Sequence, residues 1–143
     1  MTVHRYLATC PTGVGVLLTE ELQTLGAEEV VERPIGVSFC GDLALGYRVC
    51  LWSRLANRVL LQLSRVDVEG AEDLYQATKN LRWRSHMTEK STFLVDFSGR
   101  ASWMRNAQFG AQKVKDAIVD QFREAGLSRP SVDLKQPDVR VTV

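Results

Sequence analysis

Basic and amide side chains concentrate in the segment FSGRASWMRNAQFGAQKVKD, which spans residues 97–116. Arg100 and Arg105 flank a predicted turn between a strand and a helix, and Asn106 stands at the predicted start of that helix. The first N–H groups of a helix lack partners inside the helix, and the helix dipole adds positive charge at the same end. This junction therefore predicts a binding site for a polyanion that carries phosphate groups.

Three further polar side chains follow in the predicted helix, at Gln108, Lys113 and Lys115. At about 100° per residue, Lys113 and Lys115 lie on opposite sides of Val114 and flank the apolar stripe, so they are not expected to hold one phosphate together. We expect at least one of them to belong to a broader basic rim. Gly110 costs this helix about 1 kcal/mol in propensity, which tight packing or a close backbone approach would explain.

The charge is unevenly distributed, although the 143-residue chain has a formal charge of only +1. Between Lys79 and Lys115, eight basic residues stand against Glu89 and Asp96, which gives this segment a net charge of +6. Residues 20–32 hold five glutamates and no basic residue. A basic stretch inside a neutral chain indicates a local anionic partner, not a global property of the protein.

Two aromatic segments remain open to two interpretations each. Arg82 and Arg84 flank Trp83, an interleaving that suits flexible RNA because arginine neutralises phosphates and aromatic rings stack on bases. Alternatively, Trp83 fills the core and the two arginines are solvated. At the corner CLWSRLANR, Trp52 is either a buried wedge, with Arg54 pairing a carboxylate, or part of a contact surface for RNA or another domain.

No arrangement in the sequence predicts a catalytic residue, a bound metal or a bound cofactor. The segment TGVG at 12–15 resembles a dinucleotide loop, but Leu18 stands where the third glycine is needed. Cys10, Cys40 and Cys50 are odd in number and lack ligand spacing, so we expect reduced, mostly buried thiols. With no secretory signal and no apolar run of membrane-spanning length, the expected location is the cytoplasm.

The hydrophobic pattern of residues 1–68 predicts the element order strand, helix, strand, strand, helix, strand. This is the order of a ferredoxin-like βαββαβ sandwich. Thr12 is predicted to cap a helix at about 13–25, and Asp42 to cap a second helix. The apolar stripe of the second helix is predicted to comprise Leu43, Tyr47, Cys50 and Leu51.

Residues 69–143 predict a second domain that contains the junction. A strand with Phe93 and Phe97 on one face precedes a long helix over 106–125, which Gly126 ends. The final segment, DVRVTV, alternates valine with polar residues and lacks a partner hairpin, so we expect the chain to stop inside this domain.

Four segments carry a recognisable pattern: LWSRLANRVLL, FSG at 97–99, RNAQFGAQKVKDAIVDQF at 105–122, and RPSVD…PDVRV at 129–141. In these segments the chain resembles the N-terminal part of bacterial large-subunit (23S) ribosomal RNA guanine-N2 methyltransferases that carry a THUMP RNA-binding domain. The resemblance covers almost the whole chain. It implies an α+β fold, with a ferredoxin-like domain over 1–68 and an α/β THUMP domain over 69–143 that is incomplete at its C-terminus.

The resemblance also implies where the chemistry lies. Such proteins transfer a methyl group from S-adenosylmethionine in a Rossmann-like domain after THUMP, whose glycine-rich loop and Asn-Pro-Pro-aromatic motif occur nowhere in this sequence. The implied partners are large-subunit ribosomal RNA and the C-terminal methyltransferase domain of the same protein. The expected RNA-binding residues are Arg82, Arg84, Arg100, Arg105, Asn106, Gln108, Lys113 and Lys115.

Two alternatives stay open at this stage. THUMP modules also accompany enzymes that thiolate or methylate transfer RNA. A ferredoxin-like sheet can also serve contacts between proteins without touching RNA, and the acidic first helix suits a basic protein partner.

Overall fold

The computed structural model describes residues 2–143. The chain divides into two units, Met1–Leu63 (unit 1) and Ser64–Val143 (unit 2). Each unit has its own sheet and its own hydrophobic core. The predicted α+β class is confirmed, with a βαββαβ unit followed by a second unit that contains helices and a sheet.

Unit 1 has the βαββαβ order that the hydrophobic pattern predicts. Its elements are β1 (His4–Thr9), α1 (Gly15–Thr24), β2 (Glu28–Arg33), β3 (Gly36–Gly41), α2 (Leu43–Trp52) and β4 (Arg58–Leu61). The four strands form an antiparallel sheet in the order β2-β3-β1-β4. Val37 and Phe39 alternate toward the core of β3, where both are fully buried.

The start of α1 differs from the prediction. The helix begins at Gly15, and Val14 at its N-cap makes no side-chain hydrogen bond to the helix, so the prediction that Thr12 caps a helix from residue 13 is wrong. Gly13 has a φ of +88°, a left-handed conformation that glycine adopts readily. This turn separates Thr12 from the first N–H groups of the helix.

Helix α2 starts as predicted but buries a different face. The Asp42 carboxylate accepts a hydrogen bond from the backbone N–H of Leu45 at 2.8 Å, which confirms the predicted cap. The buried residues are Leu45, Gly46 and Val49. A Cβ at Gly46 would lie 2.7 Å from the Tyr6 hydroxyl oxygen, so the helix packs closely against β1 through this face.

The predicted apolar stripe of α2 is therefore wrong, because it lies on the solvent side. The exposed fractions are 48% for Leu43, 73% for Tyr47, 76% for Leu51 and 64% for Trp52. The interpretation of Trp52 as a buried wedge is also wrong. Apolar residues occur around most of this helix, so periodicity alone does not identify the buried side.

Unit 2 contains α3 (Ala71–Lys79), a 3-10 turn (Trp83–Ser85), β5 (Thr92–Asp96), α4 (Ala107–Glu124), β6 (Ser131–Val132) and β7 (Val139–Thr142). The strands are parallel, in the order β6-β5-β7. Helix α4 buries Ile118 and Phe122 in a core that includes Phe93 of β5. Gly126, with a φ of +73°, follows the end of α4.

Three chemical features of residues 2–143 complete this description. Cys40 is buried, Cys10 is half-buried and Cys50 is exposed, so the prediction of mostly buried thiols holds for Cys40 alone. Within these residues, no helix has the length and apolar character needed to cross a membrane. The same residues form no cluster of three or more His, Cys, Asp or Glu side chains that could hold a metal ion.

Candidate nucleic-acid interface

The junction between β5 and α4 is tied to the sheet at its start. The backbone N–H of Ser98 donates to the Val143 carbonyl at 2.8 Å, and the N–H of Val143 donates to the Asp96 carbonyl at 2.8 Å. The chain then leaves the sheet at Gly99, whose φ of +118° is a conformation that side chains rarely allow. The segment that carries Arg100 is thus fixed at the strand end.

Close packing also holds the junction against α4. A Cβ at Gly110 would lie 2.8 Å from the Met104 sulfur and 2.8 Å from the Phe97 ring. Because Gly110 has no side chain, the junction can contact the helix at this point. This close contact explains why a residue of low helix propensity stands there. Trp103, in the same segment, packs partly buried against the core of unit 2.

The start of α4 has a side-chain cap and no acidic residue in its first turn. The Asn106 side chain accepts a hydrogen bond from the Phe109 N–H at 3.0 Å, which confirms the predicted cap. The first turn of α4 contains no acidic residue, whereas the first turn of α3 contains Glu72 and Asp73. The positive end of the α4 dipole is thus not offset by a carboxylate of its own first turn.

Two arginines increase the positive charge at this end of α4. Arg100 and Arg105 are exposed, and neither side chain makes an ion pair or a hydrogen bond within residues 2–143. Gln108, the second residue of α4, is also exposed. Cations beside the positive end of a helix dipole are unfavourable unless an anion joins them. The arrangement can therefore bind a phosphate without displacing an internal partner.

Lys113 and Lys115 border one groove of about 350 Å³ on the outward side of α4. Both side chains are half-buried, and the Lys113 ammonium lies 5.7 Å from the centre of the Phe109 ring. The structure thus brings to one groove two residues that the sequence places on different flanks of the helix.

Arg82 and Arg84 lie elsewhere, on the 3-10 turn near the C-terminal end of α4. The Gln121 side chain holds this region: its Oε1 accepts from the Trp83 N–H at 3.0 Å, and its Nε2 donates to the Leu81 carbonyl at 2.5 Å. The same Nε2 donates to the Lys79 carbonyl at 2.8 Å. Both arginines are exposed beside a second depression that Gln121 helps to line.

The burial of Trp83 decides between base stacking and core packing as the role of its ring. Its side chain is only 2% exposed, and its indole N–H donates to the Thr78 carbonyl at 2.7 Å. Trp83 therefore fills the core, and the interpretation in which its ring stacks on bases is wrong. The two arginines beside it keep the solvated position that the core interpretation predicts.

The eight predicted residues thus fall into three places along α4. Its 18 residues span about 27 Å, with Arg100, Arg105, Asn106 and Gln108 at the N-terminal end and the two lysines in the groove. Arg82 and Arg84 lie near the other end. Sequence reasoning missed Gln121 and Arg129, which lines the groove. Neither follows a pattern that distinguishes it from other surface residues.

In unit 1, the corner after α2 is held by the Glu21 carboxylate. The Ser53 hydroxyl donates to Glu21 Oε2 at 2.6 Å, and the Arg54 backbone N–H donates to Glu21 Oε1 at 2.8 Å. Burial tends to raise the pKa of Glu21, but these donors outweigh it and the pKa is lowered. Arg54 thus meets a carboxylate through its backbone, and the predicted guanidinium pair is absent from residues 2–143.

Comparison with known proteins assigns both units. A sequence model described as the THUMP domain matches residues 68–143, and one described as the RlmL ferredoxin-like domain matches residues 5–60. Proteins named ribosomal RNA large subunit methyltransferase K/L from Aeromonas salmonicida and Pseudomonas aeruginosa are 49% and 50% identical to the chain over 139 residues. These matches cover 97% of this chain and 19% of each relative.

Solved structures share the fold of the chain. TrmN from Thermus thermophilus is 26% identical with a TM-score of 0.72, and the match covers 99% of this chain and 42% of that one. A Listeria monocytogenes protein, described as a predicted N6-adenine-specific DNA methylase, is 24% identical with a TM-score of 0.79. That match covers 92% of this chain and 36% of the other, and at this identity it shows the fold alone.

Proposed function

Because the chain belongs to the THUMP domain family, we propose that it is the RNA-binding part of a 23S ribosomal RNA guanine-N2 methyltransferase in the cytoplasm. In this proposal residues 1–68 form the ferredoxin-like domain and residues 69–143 the THUMP domain. The name of the quoted relatives supports ribosomal RNA over transfer RNA as the substrate. The partner within the same protein is a C-terminal methyltransferase domain.

The single observation that carries this proposal is the start of α4. Arg100 and Arg105 stand without internal partners beside a helix N-terminus whose first turn has no carboxylate. Such an arrangement is unfavourable alone and favourable with a bound phosphate. Lys113, Lys115 and the two arginines of the 3-10 turn extend the basic surface along the helix.

The mechanism is positioning of the RNA. Contacts to phosphates fix the register and orientation of a nucleic acid, while base contacts elsewhere specify the nucleotide. Because Trp83 is buried, stacking by its ring does not contribute, and Trp103 is partly buried against the core. The chain therefore holds the RNA by charge and shape, and the catalytic domain selects the guanine.

The residues of this chain do not fit the methyl donor. The glycine turn that resembles a cofactor loop is Gly13–Gly15, which follows β1 and leads into α1. Leu18 stands where the third glycine of a cofactor loop is needed, and its side chain is fully buried in the core of unit 1. We therefore assign S-adenosylmethionine to the catalytic domain and no step of methyl transfer to these residues.

A fourfold variant tests the RNA-binding proposal. Replacing Arg100, Arg105, Lys113 and Lys115 with alanine is expected to lower the affinity for ribosomal RNA by at least 100-fold, because four phosphate contacts are lost. Affinity is measured by filter binding at several salt concentrations, with Arg54→Ala/Arg58→Ala in unit 1 as a control. Unchanged affinity in the fourfold variant would contradict the proposal.

A second candidate function is contact with another protein domain without RNA. One observation favours it, the exposure of Leu43, Tyr47, Leu51 and Trp52 on α2, because large apolar patches mark interaction surfaces. Tyr47→Ser/Trp52→Ser should then weaken association with the catalytic domain of the same protein, measured by calorimetry. Full RNA affinity in the fourfold variant, together with weakened association here, would favour this candidate.

A further inference from the structure

We propose that the groove between α3 and α4 binds the ribose-phosphate backbone of RNA, and that Arg129 is one of the residues that binds it. This inference rests on the proposed function and adds a site, a residue and a preference for RNA over DNA. The groove is lined by side chains of both helices and by Arg129, which follows α4 in the loop that leads to β6.

Within the part of the chain that the structure describes, three of the four basic side chains of the groove make no ion pair and no hydrogen bond, although the Lys113 ammonium lies near the Phe109 ring. Lys113, Lys115 and Arg129 make no ion pair or side-chain hydrogen bond within residues 2–143. Arg123 is the exception, since its guanidinium lies 3.9 Å from Asp120. Three positive groups are thus available to a ligand along one side of the helix.

The three carboxylates of the groove, Glu72, Asp116 and Asp120, each accept a hydrogen bond from a neighbouring side chain. The Tyr75 hydroxyl donates to Asp120 Oδ2 at 2.5 Å, and this hydrogen bond raises the pKa of Tyr75, which keeps the donor protonated. The Gln112 side chain donates to Asp116 at 2.8 Å. Each carboxylate retains free lone pairs, because an ionised carboxylate accepts up to about four hydrogen bonds.

Arg129 is held in place by its neighbours. Pro130 is among the most completely buried residues of the chain, and Ser131 pairs with Thr92 in the sheet. The backbone of Arg129 is therefore fixed although its side chain is exposed. A fixed backbone lowers the ordering cost of a contact with a ligand.

The combination of basic and acidic side chains in the groove favours one class of ligand. Along α4 the groove extends from Gln112 to Arg123, which is about 16 Å by helix rise and too long for a single phosphate. A phosphodiester chain places its phosphates near the lysines and Arg129. Its 2′-hydroxyls are donors that can reach Asp116 and Asp120. DNA lacks these hydroxyls.

The test uses a synthetic stem-loop of large-subunit ribosomal RNA and the DNA of the same sequence. We expect Lys115→Gln/Arg129→Gln to weaken RNA binding by about 10-fold or more and to reduce the salt slope by about 2, one for each lost phosphate contact. The control is Lys135→Gln, because Lys135 is an exposed residue of unit 2 that does not line the groove. This variant should change the RNA affinity and the salt slope by no more than the loss of one phosphate contact would.

Replacing two carboxylates of the groove tests the preference for RNA over DNA. Asp116→Asn/Asp120→Asn should reduce the ratio of RNA affinity to DNA affinity, since each replacement removes an ionised acceptor for a 2′-hydroxyl. Equal binding of RNA and DNA by the unaltered chain, or an unchanged RNA affinity and salt slope in Lys115→Gln/Arg129→Gln, would overturn the inference. If Arg100→Gln/Arg105→Gln then still weakened RNA binding, the proposed function would stand without this site.

Discussion

The two units present opposite chemistry on their helices. In unit 1, α2 exposes Leu43, Tyr47 and Leu51 on one face and carries no charge among them. In unit 2, the side of α4 toward solvent carries lysines and borders a groove with Arg129. Apolar surface suits a protein partner and unpaired basic groups suit a nucleic acid. The contrast therefore supports the proposals that unit 2 contacts RNA and that α2 contacts another protein domain.

The largest expected effect compares two leucines of α2. Leu45 is buried and Leu51 is 76% exposed. Leu45→Ala should lower the free energy of unfolding of unit 1 by about 2–5 kcal/mol, whereas Leu51→Ala should change it by about 0.5 kcal/mol or less. Hydrogen exchange of β1 and β3 amides reports unit 1 by itself. Similar losses in both variants would show that the assigned burial of α2 is incorrect.

A smaller effect compares two glutamines of α4. Gln121 bonds three backbone groups of the region that carries Arg82 and Arg84, whereas Gln112 bonds only Asp116 at the surface. Gln121→Leu should lower the free energy of unfolding by about 1–3 kcal/mol, because partly buried polar groups lose their partners.

Gln112→Leu should change stability by about 0.5 kcal/mol or less. Amide exchange at Trp83 measures the local opening directly, and faster exchange in the Gln121 variant alone is the expected pattern. Protection at Trp83 that survives Gln121→Leu would show that other contacts hold the two arginines in place.

The smallest effect is the pH dependence of unit 1. The pKa of Glu21 in the folded protein lies below its ordinary value of 4.5. Its contribution to stability is therefore present above about pH 4.5 and lost as the pH falls through the folded pKa. Glu21→Gln should flatten the acid limb of unfolding measured by circular dichroism. An equally steep acid limb in the variant would mean that Glu21 does not stabilise the corner at Ser53.

Local patterns predicted most of the fold and part of the site. The caps Asn106 and Asp42 are predictable because each has a capping side chain directly before an apolar helical pattern. Thr12 fails as a cap because the glycine turn that follows it moves the helix start away from it. The buried face of α2 is not predictable in this way, since it depends on the contact of Gly46 with Tyr6, which are far apart in the chain.

The candidate site shows the same difference between features that depend on local sequence and features that depend on tertiary packing. The charge of the segment from Lys79 to Lys115 was visible in the sequence, but its separation into three places along α4 depends on tertiary structure. Arg129 enters the groove only because the chain returns past α4 after Gly126. Trp83 beside two arginines looked equally suited to RNA and to the core, and only packing distinguishes these roles.

Photochemical crosslinking of the chain to large-subunit ribosomal RNA, with the linked residues mapped by mass spectrometry, tests the central claim most directly. The account predicts crosslinks in unit 2, within 82–84, 97–108 and 113–129, that diminish as the salt concentration rises. Crosslinks concentrated in unit 1, or a pattern that does not respond to salt, would contradict it.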